Sequence, residues 1–217
     1  MSRKKKFVLK ATPEEEDFAH KYTHEGSGKV GGYLLDGYFD AVNELTDCAL
    51  KSKSKVKAIE LGCGEGFSTA RIAKFLPKNT DFMASEFVEH LVPKAQKQNP
   101  NIKIIQESVY ELKHKNNSFD LVFLLEVLEH LDYPETALKE IKRVLKPGGH
   151  LILGVPREPL WRILNIARLK YLRDFGNTPG HFNHWSARGL RRYMNEHFRQ
   201  IVAHKTPLPW TIILVKK

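Results

Sequence analysis

Val56-Lys-Ala-Ile-Glu60-Leu-Gly62-Cys-Gly64-Glu-Gly66 decides how the rest of the chain is read. A short β-favouring run ends in an acid, Glu60. Glycines follow at 62, 64 and 66, and a helical pattern begins at Phe67. Glycine has no Cβ, so its backbone can approach a ligand closely and adopt φ > 0 in a tight turn. The helix behind the turn aims unpaired N–H groups into it. Such a strand–glycine turn–helix unit is the edge of a nucleotide-binding site, although three glycines alone also make an ordinary turn. Partners later in the chain decide between the two.

Strand patterns at 56–61, 81–86, 102–106, 119–125 and 149–155 enclose helical patterns at 67–75, 88–98 and 134–145. This rhythm implies a mostly parallel sheet covered on both faces, a doubly wound Rossmann-like α/β fold. Lys146-Pro-Gly-Gly149 is a helix stop. After Pro156 come a cationic amphipathic stretch over 157–175, a Gly/Pro/His-rich loop over 176–185 and a helix over 186–197 opened by Ser186. Strands near 201–205 and 210–215 then suit a hairpin at the sheet edge. Upstream, a polar helix is expected over 12–25, capped by Thr12 with Pro13 and Glu15 in its first turn. Gly26 to Gly32 breaks the pattern. A second helix over 34–50 carries Leu35, Tyr38, Phe39, Val42, Leu45 and Leu50 near one face. The expected organisation is a single domain over 1–217: cap helices 1–54, binding core 55–156, lid insertion 157–199 and C-terminal hairpin 200–217.

The chain has 217 residues, 41% hydrophobic and 28% charged, the balance of one soluble globule. No apolar run approaches the roughly 18 residues of a membrane span. Met1 to Phe7 is basic but lacks a following apolar region, so a cytoplasmic location is expected. Cys48 and Cys63 are too few for a disulfide framework and lack metal-ligand spacing. The net charge of +10 invites a nucleic acid, an anionic membrane or a phosphorylated acceptor. The lysines are dispersed, however, and a solvated surface explains them equally well.

Open α/β sheets bind ligands at the carboxyl ends of their strands. The second strand ends Ala84-Ser-Glu86-Phe87. Its acid lies about 20 residues past Gly66, the separation expected for a carboxylate on ribose hydroxyls. The third strand ends at Glu107 and Ser108, the fourth at Leu125 and Glu126.

Glu60-Leu-Gly-Cys-Gly-Glu-Gly66, Glu86, Ser118-Phe-Asp-Leu-Val-Phe-Leu-Leu-Glu-Val-Leu-Glu-His-Leu131 and Arg143-Val-Leu-Lys-Pro-Gly-Gly149 together resemble the class I S-adenosylmethionine-dependent methyltransferases. Within that class the chain looks closest to the branch with quinone-biosynthesis O-methyltransferases. The resemblance covers residues 55–156 and, in outline, the final hairpin. It implies a seven-stranded sheet whose last strand runs antiparallel, with S-adenosylmethionine as donor and S-adenosylhomocysteine as product. It assigns Glu60, Gly62, Cys63, Gly64 and Gly66 to the methionine end, Glu86 to the ribose and Phe87 to the adenine. Glu107 and Ser108 would border the adenine amine, where the family more often has Asp-Ala. Leu125 and Glu126 would lie beside the sulfonium, and Tyr22 would close over the cofactor. A nicotinamide-dependent enzyme would more typically show Gly-x-Gly-x-x-Gly; here the third glycine follows the second by two residues, which favours the methyl donor.

Methyl transfer needs alignment and desolvation, and an oxygen or nitrogen acceptor also needs a base. If Glu126-Val-Leu-Glu129-His130 is helical, positions 126, 129 and 130 share a face. His130 could then serve as base. Alternatively, Glu126, Glu129 and His130 could hold a divalent ion, as a similar Glu-x-x-Glu-His does in some quinone O-methyltransferases and small-RNA 2′-O-methyltransferases. Metal-free relatives also carry Glu-His here, and the reading carried forward has no metal. His181 and His184 are either further bases or stitches of the loop to the core. Residues 157–185 are expected to build the acceptor pocket. In them Trp161, Ile163, Leu164, Ile166 and Leu169 alternate with Arg162, Arg168, Lys170 and Arg173, either as a lid helix packed on the core or as an anion- or membrane-reading helix. The leading reading is methyl transfer to oxygen of a small, lipid-like or anionic acceptor. The alternatives are a metal-assisted 2′-O RNA methyltransferase, for which no RNA-binding module is recognisable, and an inactive cofactor-binding partner protein. Monomer and homodimer both stay open.

Overall fold

The computed structural model of the chain describes residues 8–9, 24–51 and 55–217. Its centre is the strand Phe119–Leu125, buried at every position. Alternate side chains of a strand point to opposite faces, so a strand buried throughout, with six apolar residues of seven, must be covered twice. Leu121, Phe123 and Leu125 join one core with Tyr38, Val42, Leu45 and Ile72, whereas Phe119, Val122 and Leu124 join the other with Leu138, Ile141, Leu190 and Met194.

In chain order the strands are β1 (Val56–Leu61), β2 (Thr80–Glu86), β3 (Lys103–Gln106), β4 (Phe119–Leu125), β5 (Leu145–Pro156), β6 (Gln200–Lys205) and β7 (Trp210–Lys216). They form one sheet in the order β3-β2-β1-β4-β5-β7-β6. β1 to β5 run parallel; β7 is antiparallel to both β5 and β6. The final hairpin therefore supplies an interior antiparallel strand as well as the edge. The helices are α1 (His24–Leu50), α2 (Phe67–Phe75), α3 (Val92–Gln98), α4 (Pro134–Val144), α5 (Leu160–Ala167) and α6 (Ala187–His197). The first core lies under α1 and α2, the second under α4 and α6. Strand order reverses between β1 and β4, which opens a crevice at their carboxyl ends.

Several expectations needed correction. The polar helix over 12–25 falls almost wholly outside the described residues. The glycine-rich segment before Leu34 does not stop α1, which runs through Gly31 and Gly32 and departs from helical geometry only at Gly28 (φ 65°, ψ 178°). Burial of Leu35, Tyr38, Val42 and Leu45 carries the helix upstream against poor local propensity. β5 starts four residues early, pairing Leu145 with Phe119 before a register shift that brings Leu121 opposite His150. The cationic stretch yields only the short α5, followed by a 3-10 turn at Leu172–Asp174. Ser186 does cap α6, its Oγ accepting the Gly189 N–H at 3.1 Å. Among the described residues no helix is long and apolar enough to cross a membrane.

Candidate active site

The carboxyl ends of β1 to β4 open onto a cavity of about 430 Å³, walled by Gly62, Cys63, Gly64, Glu86, Phe87, Glu107, Ser108, Leu125, Glu126 and His130 among others. The glycine turn is pinned by its backbone: the N–H groups of Gly62 and Cys63 both donate to Ser85 O, at 2.8 and 3.0 Å. Gly64 sits at φ +54°, where an added Cβ would meet no atom within 4 Å. Gly66, at φ +87°, is the N-cap of α2. A Cβ there would collide with the Asn99 amide and crowd the Ala95 backbone, so this glycine is needed for packing as well as conformation.

Glu86 ties the turn to the second strand. Its Oε2 accepts the Gly64 N–H at 2.7 Å, and its Oε1 accepts those of Phe87 and Val88 at 2.8 and 2.9 Å. A carboxylate has about four lone-pair sites, so three backbone donors leave room for one more on the cavity wall. Glu107 is held on the next strand end by the Lys113 N–H and by His114 Nε2, at 3.0 and 3.1 Å. Ser108 Oγ accepts the Tyr110 N–H at 3.3 Å.

Glu60 is set back from this wall. The two-residue period turns it toward α2, with Val56 and Ala58, and it accepts the Thr69 hydroxyl at 2.5 Å. Burial pushes its carboxyl up to about 7, against the opposing hydrogen bonds from Ser68 and Thr69. Glu60, expected at the methionine end, is therefore absent from the cavity wall and stands beneath the turn. Cys63 is on the wall, and burial drives its thiol far above the usual range. Tyr22 lies outside the described residues.

The far end departs most from expectation. Glu126, Glu129 and His130 do not share a helical face. Glu126 adopts φ +57° ahead of a single 3-10 turn, Leu128–His130. Its carboxylate turns to the last strand, Oε2 accepting the Trp210 indole N–H at 2.8 Å. Glu129 and His130 instead meet His181: one ligand atom from each lies within 4.8 Å of the others. The rings of His130 and His181 stand edge to face with centroids 4.8 Å apart. His130 Nδ1–H donates to Gly180 O at 3.0 Å, since a carbonyl only accepts. A neutral ring then carries its lone pair on Nε2. Neither carboxylate oxygen of Glu129 has a hydrogen-bond partner among the described residues. Burial first, and then the neighbouring Glu126, hold Glu129 well above the ordinary carboxylate range. A buried carboxyl without donors stays protonated until a positive charge arrives beside it.

His184 does not join this cluster. It sits between Asn177 Oδ1 and Arg162, 2.6 and 3.0 Å from its Nε2, and stitches the loop to α5. Trp210, not among the expected site residues, packs on Tyr38 with centroids 5.0 Å apart and holds Glu126. Only the burial of an indole near a strand start could have hinted at it.

Residues 59–153 match the family model described as a methyltransferase domain. Curated relatives include a demethylmenaquinone methyltransferase of Paenarthrobacter aurescens, 31% identical over a stretch covering 54% of this chain and 46% of that protein. An uncharacterized methyltransferase of Schizosaccharomyces pombe is also 31% identical, over 46% of this chain and 39% of that protein. The match spans less than half the length of either. Among solved structures, a SAM-dependent methyltransferase from Aquifex aeolicus superposes with a TM-score of 0.61 at 15% identity, over 82% of this chain and 96% of that one. A Pyrococcus horikoshii protein superposes with a TM-score of 0.65 at 19% identity, over 83% and 90%. At such identities these structures speak to the fold.

Proposed function

We propose that the chain is a class I S-adenosylmethionine-dependent methyltransferase, a reading supported by the methyltransferase-domain match over residues 59–153 and the demethylmenaquinone methyltransferase relative, and that it methylates an oxygen of a small, partly apolar acceptor. The residues present suit the donor. The wall at Gly64 is open where a side chain would intrude, Glu86 keeps one acceptor site, and Phe87, Glu107 and Ser108 complete the same wall. In this reading Glu86 takes the ribose hydroxyls, Phe87 the adenine, and Leu125 and Glu126 the reacting end. Bound S-adenosylmethionine supplies a methyl group activated on a sulfonium.

The chain's own residues align the acceptor, exclude water and take its proton. Tyr38, Phe39, Leu131 and Phe182 give the cavity an apolar side suited to an uncharged ring or chain. The observation that carries the assignment to oxygen is His130 on that wall, locked by Gly180 O and backed by the buried carboxyl of Glu129. As the acceptor oxygen takes the methyl group its proton passes to Nε2, and the resulting imidazolium lies beside Glu129. His181 orients the pair.

His130→Gln tests this. General-base catalysis contributes roughly 10² to 10⁴-fold. Transfer of labelled methyl into a small-molecule extract from cells lacking the protein is expected to fall by that factor, with affinity for S-adenosylhomocysteine unchanged. Parallel loss of affinity would make His130 structural, and label in RNase-sensitive material would move the acceptor to RNA.

A second reading rests on the same three residues. Glu129, His130 and His181 offer a carboxylate and two imidazoles, a donor set that suits a divalent cation, and both oxygens of Glu129 are uncommitted. An ion held there would polarise an acceptor oxygen. Stimulation by added Mg²⁺, Mn²⁺ or Zn²⁺ after chelation, absent in Glu129→Gln, would favour it over the base.

A further inference from the structure

We propose that the excursion from α5 through Phe175 docks on the surface of an anionic phospholipid bilayer, beside the mouth of the cavity. Ile163, Ile166, Leu169, Leu172 and Phe175 recur every third residue, and all five are exposed. Leu169 and Phe175 are 79% and 78% exposed, and neither belongs to a hydrophobic core cluster. Exposed apolar residues scattered singly need no explanation, but five within thirteen residues of one segment do.

The backbone sharpens the point. Leu169, Tyr171 and Phe175 adopt φ of +56°, +53° and +50°, a region that costs bulky L-residues free energy and where glycine would fit without strain. Packing within the described residues does not call for Leu169 or Phe175, and local conformation opposes them. What remains is the apolar surface they present.

The excursion is built, not loose. Buried Asn165 donates from Nδ2 to Gly176 O at 2.8 Å, and its backbone O accepts the Lys170 N–H at 2.8 Å. Gly176 abuts α5 so closely that a Cβ would strike Arg162 O. The row is thus held outward on a fixed frame.

Charge selects the partner. Arg168, Lys170 and Arg173 are exposed along the row, with Asp174 the acid among them. Apolar residues flanked by cations match the interface of a bilayer, apolar below and anionic at its headgroups. Position adds a use. Pro179, Gly180 and Phe182, a few residues on, line the cavity, so a lipid-dissolved acceptor would meet its opening at the membrane. That last step rests on the small-molecule reading above; the docking itself does not.

The test is flotation of the full chain with vesicles of phosphatidylglycerol and phosphatidylcholine, or of phosphatidylcholine alone. Partition is expected only with the anionic lipid, falling with salt. Leu169→Glu with Phe175→Glu should lower it roughly tenfold or more, whereas the exposed Lys74→Glu on α2 should leave it nearly unchanged. Unaltered thermal unfolding of the double variant separates lost docking from lost folding. Equal partition of all three proteins, or none to any vesicle, overturns the proposal. A concentration-dependent dimer dissolved by the double variant would do so in favour of a second copy of the chain. Loss of methyl transfer in solution, without vesicles, would implicate the catalytic reading instead.

Discussion

Glu60→Gln gives the sharpest test of the buried acid beneath the turn. With a folded pKa of about 7 against an ordinary 4.5, the native state holds a proton that the unfolded chain has already released between those values. Below pH 4.5 both states are protonated and nothing is lost. Between pH 4.5 and 7 stability falls as pH rises, and above 7 the loss is complete. A difference of roughly 2.5 units at about 1.36 kcal/mol each gives about 3 kcal/mol. Glutamine cannot ionise and keeps an acceptor for Thr69, but its amide N–H groups need partners and cost about 1 kcal/mol. The variant should therefore be about 2 kcal/mol more stable than the parent at pH 8 and about 1 kcal/mol less stable at pH 4.5. Urea unfolding at pH 4.5, 6 and 8, with slopes unchanged, measures the difference directly. Glu126 and Glu129 titrate in both proteins and largely cancel. Two stability curves that run parallel across this range would refute the argument, since Glu60 would then be hydrated or paired in the fold.

Gly64→Val should abolish S-adenosylhomocysteine binding, because a β-branched residue at φ +54° is strained and fills the cavity wall; unchanged affinity by calorimetry would remove this glycine from the site. Glu86→Ala should weaken the same binding by about 1–3 kcal/mol and lower stability, because three backbone N–H groups lose their acceptor. A loss of stability without loss of affinity would leave Glu86 a purely structural clamp. Trp210→Phe should keep the packing on Tyr38 but leave Glu126 without its indole donor, raising its pKa further; a carboxyl ¹³C titration that moved downward would contradict this.

How much of this was legible depended on the range of the forces involved. β1, the glycine turn and α2 were readable because their determinants are local: strand periodicity, φ > 0 and a helix start within eleven residues. β4 was readable because six apolar residues in a run of seven admit few alternatives. The inward face of Glu60 was legible too, since the period that places Ile59 and Leu61 in one core sends Glu60 to the other side. The pairing of Glu129 and His130 with His181 was not legible, because it joins segments about 50 residues apart through Gly180 O and the Glu129 carbonyl, which accepts the Phe182 and Asn183 N–H groups. The left-handed conformation of Glu126 was equally hidden: a glutamate gives no local reason for it, and a Trp210 reached through the β5–β7 pairing supplies one.

The two ends of the cavity are consequently built by different means. At the glycine turn the wall is backbone, fixed by N–H groups that donate to Ser85 O and the Glu86 carboxylate, so substitutions of the glycines there act mainly through sterics. At the other end both oxygens of Glu129 and one of Glu126 lack hydrogen-bond donors among the described residues, and His181, from the loop after α5, lies beside Glu129. Leaving such groups uncompensated costs stability, and a charge arriving during use would offset that cost. An imidazolium or a divalent cation would supply that charge. The same loop continues the outward-facing apolar row. Substitutions over 157–185 should therefore change which acceptor is methylated while leaving S-adenosylhomocysteine affinity intact, and a swap of this segment that abolished donor binding would show that the two ends are not separable.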